Sequence, residues 1–260
     1  MLELLVVGGG RMGEALIGGL LAAGWAAEAM GVVEKMEGRR KELADRFPGL
    51  TVTDDVVACE AAVVAVKPGD VPAACAALAP VGPRRVLSIA AGVPIAVLEG
   101  ALGAGAHVVR AMPNTPAQIG AGASAIAGGT AADDDDLAWA QRVLGSVGTV
   151  VRVPEHLMDA VTGLSGSGPA YVFLVAEALI DAGVLNGLPR DVADLLARQT
   201  ILGAARLLTE SGASPEELRA AVTSPGGTTA AGLQALEDRA VRAAFLAAVT
   251  AATERFRTGD

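Results

Sequence analysis

Two short stretches hold residue types whose spacing permits chemistry. The first is Val7-Gly8-Gly9-Gly10-Arg11-Met12-Gly13, in which Gly8, Gly10 and Gly13 form Gly-x-Gly-x-x-Gly directly after an apolar run. Glycines so spaced allow a tight turn, close approach of a pyrophosphate and helix–strand contact, and the following helix start offers backbone donors to phosphate. A merely Gly-rich turn would share the letters, so the strand before it and the helix after it carry the dinucleotide reading. The second stretch is Ser224-Pro225-Gly226-Gly227-Thr228-Thr229, where Pro and two glycines stop one helix before an amphipathic pattern restarts. Unhindered glycine amides at a helix start suit a small anion, and the three hydroxyls add hydrogen bonds. An elaborate N-cap is the competing reading, because Ser and Thr cap helices well.

Lesser candidates surround these two. Glu34 ends a second apolar run, 21 residues after Gly13, where an acid can accept from an adenosine ribose 2′-hydroxyl and so favour NAD. Arg39 and Arg40 lie just beyond and could instead hold a 2′-phosphate, favouring NADP, or could be surface residues of a solvated helix. Ala65-Val66-Lys67-Pro68 closes another strand at the edge where parallel sheets bind ligands; Lys67 either supports the cofactor or simply ends the strand. Asn114, in Met112-Pro113-Asn114-Thr115-Pro116, could bond a nicotinamide amide, or the segment could be a Pro-rich turn. Ser165 and Ser167 sit among glycines ahead of Pro169 and read as a tightly packed helix entry. Glu177 and Asp181 interrupt an apolar helix and read as partners for arginines across an interface. His107 and His156 read as structural, and neither a Ser-His-Asp order nor metal-ligand spacing stands out.

The elements that must position these groups alternate in period over the first 150 or so residues. Apolar runs at 2–7, 29–34, 61–66, 85–90, 107–112 and 149–153 read as strands, with helical patterns between them at 38–47, 69–79 and 94–102. Such alternation predicts βαβ units and a parallel sheet. The acids of Asp133–Asp136 fit the first turn of a further helix. Beyond residue 154 the strand signal vanishes and helices follow at 169–183, 188–212, 214–222 and 238–256, the third opened by a Ser-Pro-Glu-Glu capping box. The 169–183 helix is apolar almost all round and has to be covered on every side. The expected fold is therefore a Rossmann-type doubly wound parallel sheet (1–154) followed by an all-helical domain (155–260).

Composition narrows the partners. The 260 residues are 52% hydrophobic and 19% charged, a globular balance. A net charge of −9 with no Lys/Arg block argues against nucleic acid. No uninterrupted apolar run reaches the roughly 18 residues of a membrane span, and the N-terminus lacks the basic region of a signal peptide. Two cysteines, Cys59 and Cys75, are too few for a disulfide framework or a zinc site. These features point to the cytoplasm, and an Ala/Gly-rich helical half to an oligomer.

Four stretches together resemble the pyrroline-5-carboxylate reductase family: "VGGGRMGEALIGGL", "AVKP", "RAMPNTP", and above all "DAVTGLSGSGPAYVF" with "VTSPGGTT". The resemblance is collinear over essentially the whole chain. It implies reduction of 1-pyrroline-5-carboxylate to L-proline with NADPH or NADH, and a Rossmann domain followed by a helical dimerisation domain. It also implies interleaved homodimers, which some members build into decamers. By the same resemblance, Val7–Gly13 hold the nucleotide and Ala65–Pro68 touch it. Val222–Thr229 receive the substrate, and Thr229 supplies the hydroxyl beside the imine nitrogen. Glu34 departs from the commoner NADP-type pattern, which leaves NADP(H) or NAD(H) open.

Two rivals frame this expectation. A β-hydroxyacid-type dehydrogenase shares the architecture but, by resemblance, uses a lysine on its helical domain. All three lysines here, Lys35, Lys41 and Lys67, fall in the first half. A non-catalytic nucleotide-binding protein of the same fold would lose the substrate loop, whereas Gly226, Gly227 and Thr229 are present.

Overall fold

The computed structural model describes residues 1–258. The chain runs through β1 (Leu2–Val7), α1 (Arg11–Ala22), β2 (Met30–Val33), α2 (Glu37–Arg46), β3 (Thr51–Thr53), β4 (Cys59–Val64), α3 (Val71–Leu78), β5 (Arg85–Ser88), α4 (Ile95–Leu102), β6 (Val108–Met112), β7 (Gly122–Gly128), α5 (Asp134–Gly145) and β8 (Gly148–Arg152). It continues into α6 (Met158–Val161), a π-turn (Thr162–Gly166), α7 (Gly168–Leu185), α8 (Arg190–Glu210), α9 (Pro215–Ala221), α10 (Thr228–Asp238) and α11 (Val241–Thr258).

By packing, the chain divides into a sheet unit, residues 1–167 with the chain end from Ala251, and a helical unit, Gly168–Thr250. In the sheet unit eight strands take the order β3-β2-β1-β4-β5-β6-β7-β8. The order reverses between β1 and β4, the switch point where open α/β sheets bind ligands beyond their strand ends. Alternate residues of β1 enter different cores. Leu4 and Val6 pack with Leu16, Ile17 and Leu20 of α1, whereas Leu5 and Val7 pack with Val71, Cys75 and Leu78 of α3. A sheet covered on both faces explains why its strands read as continuous apolar runs.

Two departures from the sequence reading stand out in the sheet. β7 pairs antiparallel with β6, through Val109↔Gly128 to Met112↔Ala125, so the sheet is parallel only in its larger part. Its sequence, GASAIAG, has neither the β-branched nor the aromatic residues that announce a strand. β3, which the sequence reading does not include, is three residues long and is followed by Asp54 and Asp55.

The capping box expected at α9 is present, and α5, expected only to carry acids in its first turn, opens with one as well. Asp133 accepts from the Asp136 N–H and Ser214 from the Glu217 N–H, each with the reciprocal bond in place. The Asp136 amide holds the Asp133 carboxyl below the usual carboxylate range.

The helical unit is built differently. α7 and α8 pack as a pair, and its buried apolar residues are Ile180, Ala193 and Ala197. Along α7 and α8, Phe173, Leu174, Leu185 and Leu195 are 61%, 65%, 87% and 68% exposed. Within the single chain, Asp181 pairs with Arg190 of its own unit at 3.2 Å. The helical stretch Glu155–Leu185 also meets the length and composition of a membrane span, with a mean hydropathy of 1.5. Counting only uninterrupted apolar runs had passed over it, because a span tolerates two acids such as Glu177 and Asp181.

Candidate active site

The glycine loop is shaped by what surrounds it. Gly8 has φ +113, and a Cβ there would lie 2.6 Å from the Ala65 carbonyl oxygen, so only glycine fits against the end of β4. A Cβ on Gly13 would run into the Gly8 carbonyl. Gly10 differs, since a Cβ there would meet nothing within 4 Å. Protein packing therefore does not require glycine at position 10, and the space beside it is open. Gly10 is also the N-cap of α1 and contributes no side-chain cap, so the first amides of the helix face that open side. This cradle fits the pyrophosphate of a dinucleotide. Val7, Arg11 and Met12 complete it in sequence, with Val7 in register with Val64 across the β1–β4 pair.

Glu34, just past β2, reaches the same loop. Its Oε2 accepts from the Gly9 N–H at 3.2 Å and its Oε1 from the Met36 N–H at 2.9 Å. Arg39 holds the other side of Gly9, donating from Nε to its carbonyl at 2.9 Å. The same guanidinium pairs with Glu42 at 2.8 Å and with Glu14, which also pairs with Arg46. These bonds, to Glu42 first and then Glu14, hold Arg39 above its usual pKa. Arg40 donates from Nη1 to the carbonyls of Glu34 and Lys35, at 2.9 and 2.8 Å. Glu34 thus sets a carboxylate against the glycine loop, and the bonds of Arg39 are largely made within the protein.

Ala65 and Val66 are half-buried at the end of β4, and Lys67 and Pro68 are exposed beside them. Asn114 follows β6 on the same sheet edge, three interstrand steps from β1, about 14 Å. Its Oδ1 accepts from the Ala123 N–H at 2.8 Å, and its Nδ2 donates to the Ser165 carbonyl at 3.0 Å. Both ends of its amide are engaged, a fact the sequence pattern did not disclose.

In the helical unit, the Ser224–Thr229 loop joins α9 to α10. Gly226 adopts φ +68 with open space around it, and Gly227 is the N-cap of α10. Because Gly227 has no side chain, α10 starts without a side-chain cap, and Ser224, Thr228 and Thr229 do not perform that task. The Gly227 N–H closes the turn on the Ser224 carbonyl at 3.0 Å. Val222, Ser224, Pro225, Gly226, Thr228 and Thr229 are exposed.

Among the described residues, one trio of metal-ligating types clusters away from these loops: His107, Asp133 and Asp136. Asp136 is 1% exposed and is already committed. It lies 2.6 Å from His107 Nδ1, accepts from the Asp133 N–H at 3.1 Å and faces Arg85 Nε at 3.5 Å. The trio reads as a helix cap braced by an ion pair.

A dinucleotide cradle at the switch point of a Rossmann sheet, followed by a helical unit with an uncapped glycine loop, defines an NAD(P)-dependent oxidoreductase. Two family models match: one described as pyrroline-5-carboxylate reductase dimerisation over residues 155–258, the other as NADP oxidoreductase, coenzyme F420-dependent, over residues 3–92. The pyrroline-5-carboxylate reductase of Corynebacterium melassecola is 42% identical over 263 residues, covering 98% of this chain and 97% of that one. The structure of a pyrroline-5-carboxylate reductase from Coxiella burnetii superposes with a TM-score of 0.94 at 35% identity, over 98% and 97% of the two chains. The Plasmodium falciparum pyrroline carboxylate reductase, solved with NADP bound, superposes with a TM-score of 0.83 at 30% identity, over 99% and 97%. The chain belongs to the pyrroline-5-carboxylate reductase family.

Proposed function

We propose that this chain reduces the C=N bond of 1-pyrroline-5-carboxylate to give L-proline, the last step of proline biosynthesis. Bound NAD(P)H supplies the hydride to the ring carbon, and the nitrogen carries the proton into the product amine. A protonated imine is already electrophilic, so the protein's task is mainly to orient it and exclude alternatives. One observation supports the residue assignment most strongly: α10 begins on Gly227 with no side-chain cap, although three hydroxyl residues stand beside it. Its first amides and its dipole are left for an anion, here the substrate carboxylate, while the Thr229 hydroxyl bonds the ring nitrogen. Val222, Ser224, Pro225, Gly226, Gly227 and Thr228 shape that loop. Val7–Gly13, Glu34 and Ala65–Pro68 hold the dinucleotide.

NADH is the better donor in this reading. The Glu34 carboxylate would accept from a ribose 2′-hydroxyl and repel a 2′-phosphate, and Arg39 is balanced by Glu14 and Glu42. The apolar faces of α7 and α8 pair with a second copy of the chain, giving at least a homodimer. The free, buried Cys59 and Cys75 suit a reducing cytoplasm.

The test is NAD(P)H absorbance on adding pyrroline-5-carboxylate to the purified protein, with a 3-hydroxyacid and NAD(P)+ as the control. Oxidation of the reduced cofactor with the imine, and no reaction with the hydroxyacid, is expected; a flat trace with both cofactors overturns the proposal. Thr229→Ala should lower turnover by about tenfold, the worth of one good hydrogen bond, and leave NAD(P)H binding nearly unchanged. Equal losses would make Thr229 a structural residue only.

A further inference from the structure

The link between Asn114 and the π-turn has a cause in the covalent structure. In an α-helix the Ser165 carbonyl would accept from the N–H of residue 169, and residue 169 is proline. The helix widens to an i→i+5 pattern just before this point, with the Ser167 N–H donating to the Thr162 carbonyl at 2.8 Å. Single π-turns inside longer helices concentrate at functional sites. The carbonyl that Pro169 deprives of its ladder donor is the one that receives the Asn114 Nδ2, 51 residues earlier in the chain. The opposite end of the same amide holds the Ala123 N–H at the start of β7. Packing fastens the same junction, because a Cβ on Gly166 would come within 2.9 Å of Met112 Cε at the end of β6.

We propose that Asn114 is a positioning residue for the reduction: it replaces the helix hydrogen bond that Pro169 removes, and so locks the loop after β6 to the π-turn. This rests on the proposed function and adds how its geometry is held. The loop lies on the sheet edge that carries the glycine loop and the end of β4, beyond which the redox end of a dinucleotide extends. A displacement of about 1 Å between reacting groups can cost on the order of a hundredfold in rate. Asn114 then affects turnover while touching only backbone. Pro169 and Asn114 are coupled at the Ser165 carbonyl, where the amide donates in place of the missing helix N–H.

Three variants of the full chain test the pairing: Asn114→Ala, Pro169→Ala and the double variant. Asn114→Ala should lower kcat by about tenfold to a hundredfold and change the Kd for NAD(P)H by less than about twofold. It should also raise the primary isotope effect from deuterated cofactor. Pro169→Ala returns an N–H to the helix, so Asn114→Ala in that background should cost markedly less in kcat than it does alone. Unchanged kcat in Asn114→Ala, loss of NAD(P)H binding in step with kcat, or strictly additive effects in the double variant would each overturn the proposal. Amide hydrogen exchange gives a readout independent of turnover: Asn114→Ala should deprotect Ala123, and continued protection would also count against it. Should the native chain fail to reduce the imine while Ala123 behaves as described, the assigned function falls and the link between loop and π-turn stands.

Discussion

The sheet unit and the helical unit are both rich in apolar residues, yet only the first buries them by itself. Leu4, Leu5, Leu16, Ile17 and Leu20 are fully enclosed, whereas in the helical unit burial is confined to Ile180, Ala193 and Ala197 while long aliphatic side chains face outward. A monomer rarely leaves so much contiguous apolar surface open. The sheet unit carries its own solvent boundary, formed by helices on both faces. The helical unit has the composition of a core and the exposure of an interface.

Breaking that asymmetry should produce the largest effects. Leu174→Asp, at a position 65% exposed in the single chain, places a charge on the face assigned to the second copy. Sedimentation should show dissociation to monomers and most turnover should disappear, whereas an unchanged oligomer would mean that this face is covered by something else. Leu4→Ala in the sheet provides the contrast. It should cost about 2–5 kcal/mol of unfolding free energy through a cavity and leave the oligomeric state alone.

The closure of the sheet unit can be sharpened through its thiols. Burial pushes the Cys59 thiol up to about 11 and raises Cys75 as well. A rise from 9.0 to about 11 means on the order of 100-fold less thiolate at neutral pH. Alkylation should therefore wait for unfolding, as followed by mass spectrometry along a urea gradient, and fast modification of the native protein would contradict the closed core. A smaller effect is expected at the nucleotide loop. Glu34→Ser should shift the NADPH/NADH ratio of kcat/KM toward NADPH by about tenfold, the scale of one charge–charge interaction. An unchanged ratio would place the ribose elsewhere.

What could be foreseen from the residues follows from the range of the interactions involved. The glycine loop, the alternation of strand and helix, the acids at the start of α5 and the capping box of α9 are local patterns, and they appear in the chain where the letters place them. β7 escaped notice because GASAIAG earns its place by pairing with β6 and β8 and not by propensity. The engagement of Asn114 with Ser165, and of Arg39 with both Gly9 and Glu14, joins positions 51, 30 and 25 residues apart, and no periodicity records such pairs. One long-range signal was present in the letters: Pro169, four residues after Ser165, leaves a carbonyl in need of a distant donor. The outward apolar residues of α7 were legible as a helix needing cover on all sides, while the identity of the cover was not.

The smallest expected effect separates two left-handed positions within the helical unit. Ala240, between α10 and α11, is the one non-glycine residue with positive φ among the described residues, at 55°. It is held there by its N–H bond to the Glu237 carbonyl at 2.8 Å and by the Ala244 N–H returning to its own carbonyl at 3.1 Å. A Cβ in this conformation costs roughly 1–2 kcal/mol, and glycine recovers that at the expense of about 0.5–1 kcal/mol of chain entropy. Ala240→Gly should therefore stabilise the protein by a few tenths of a kcal/mol up to about 1, seen as a small rise in Tm with unchanged kinetics. Gly226, at φ +68 in the loop before α10, is the mirror case. Gly226→Ala should lower Tm by a small amount, because a Cβ at this φ is strained although nothing packs within 4 Å of the new methyl, and should raise the KM for the imine. If the two substitutions instead changed stability alike and KM not at all, the Ser224–Thr229 loop would be a helix connection and nothing more.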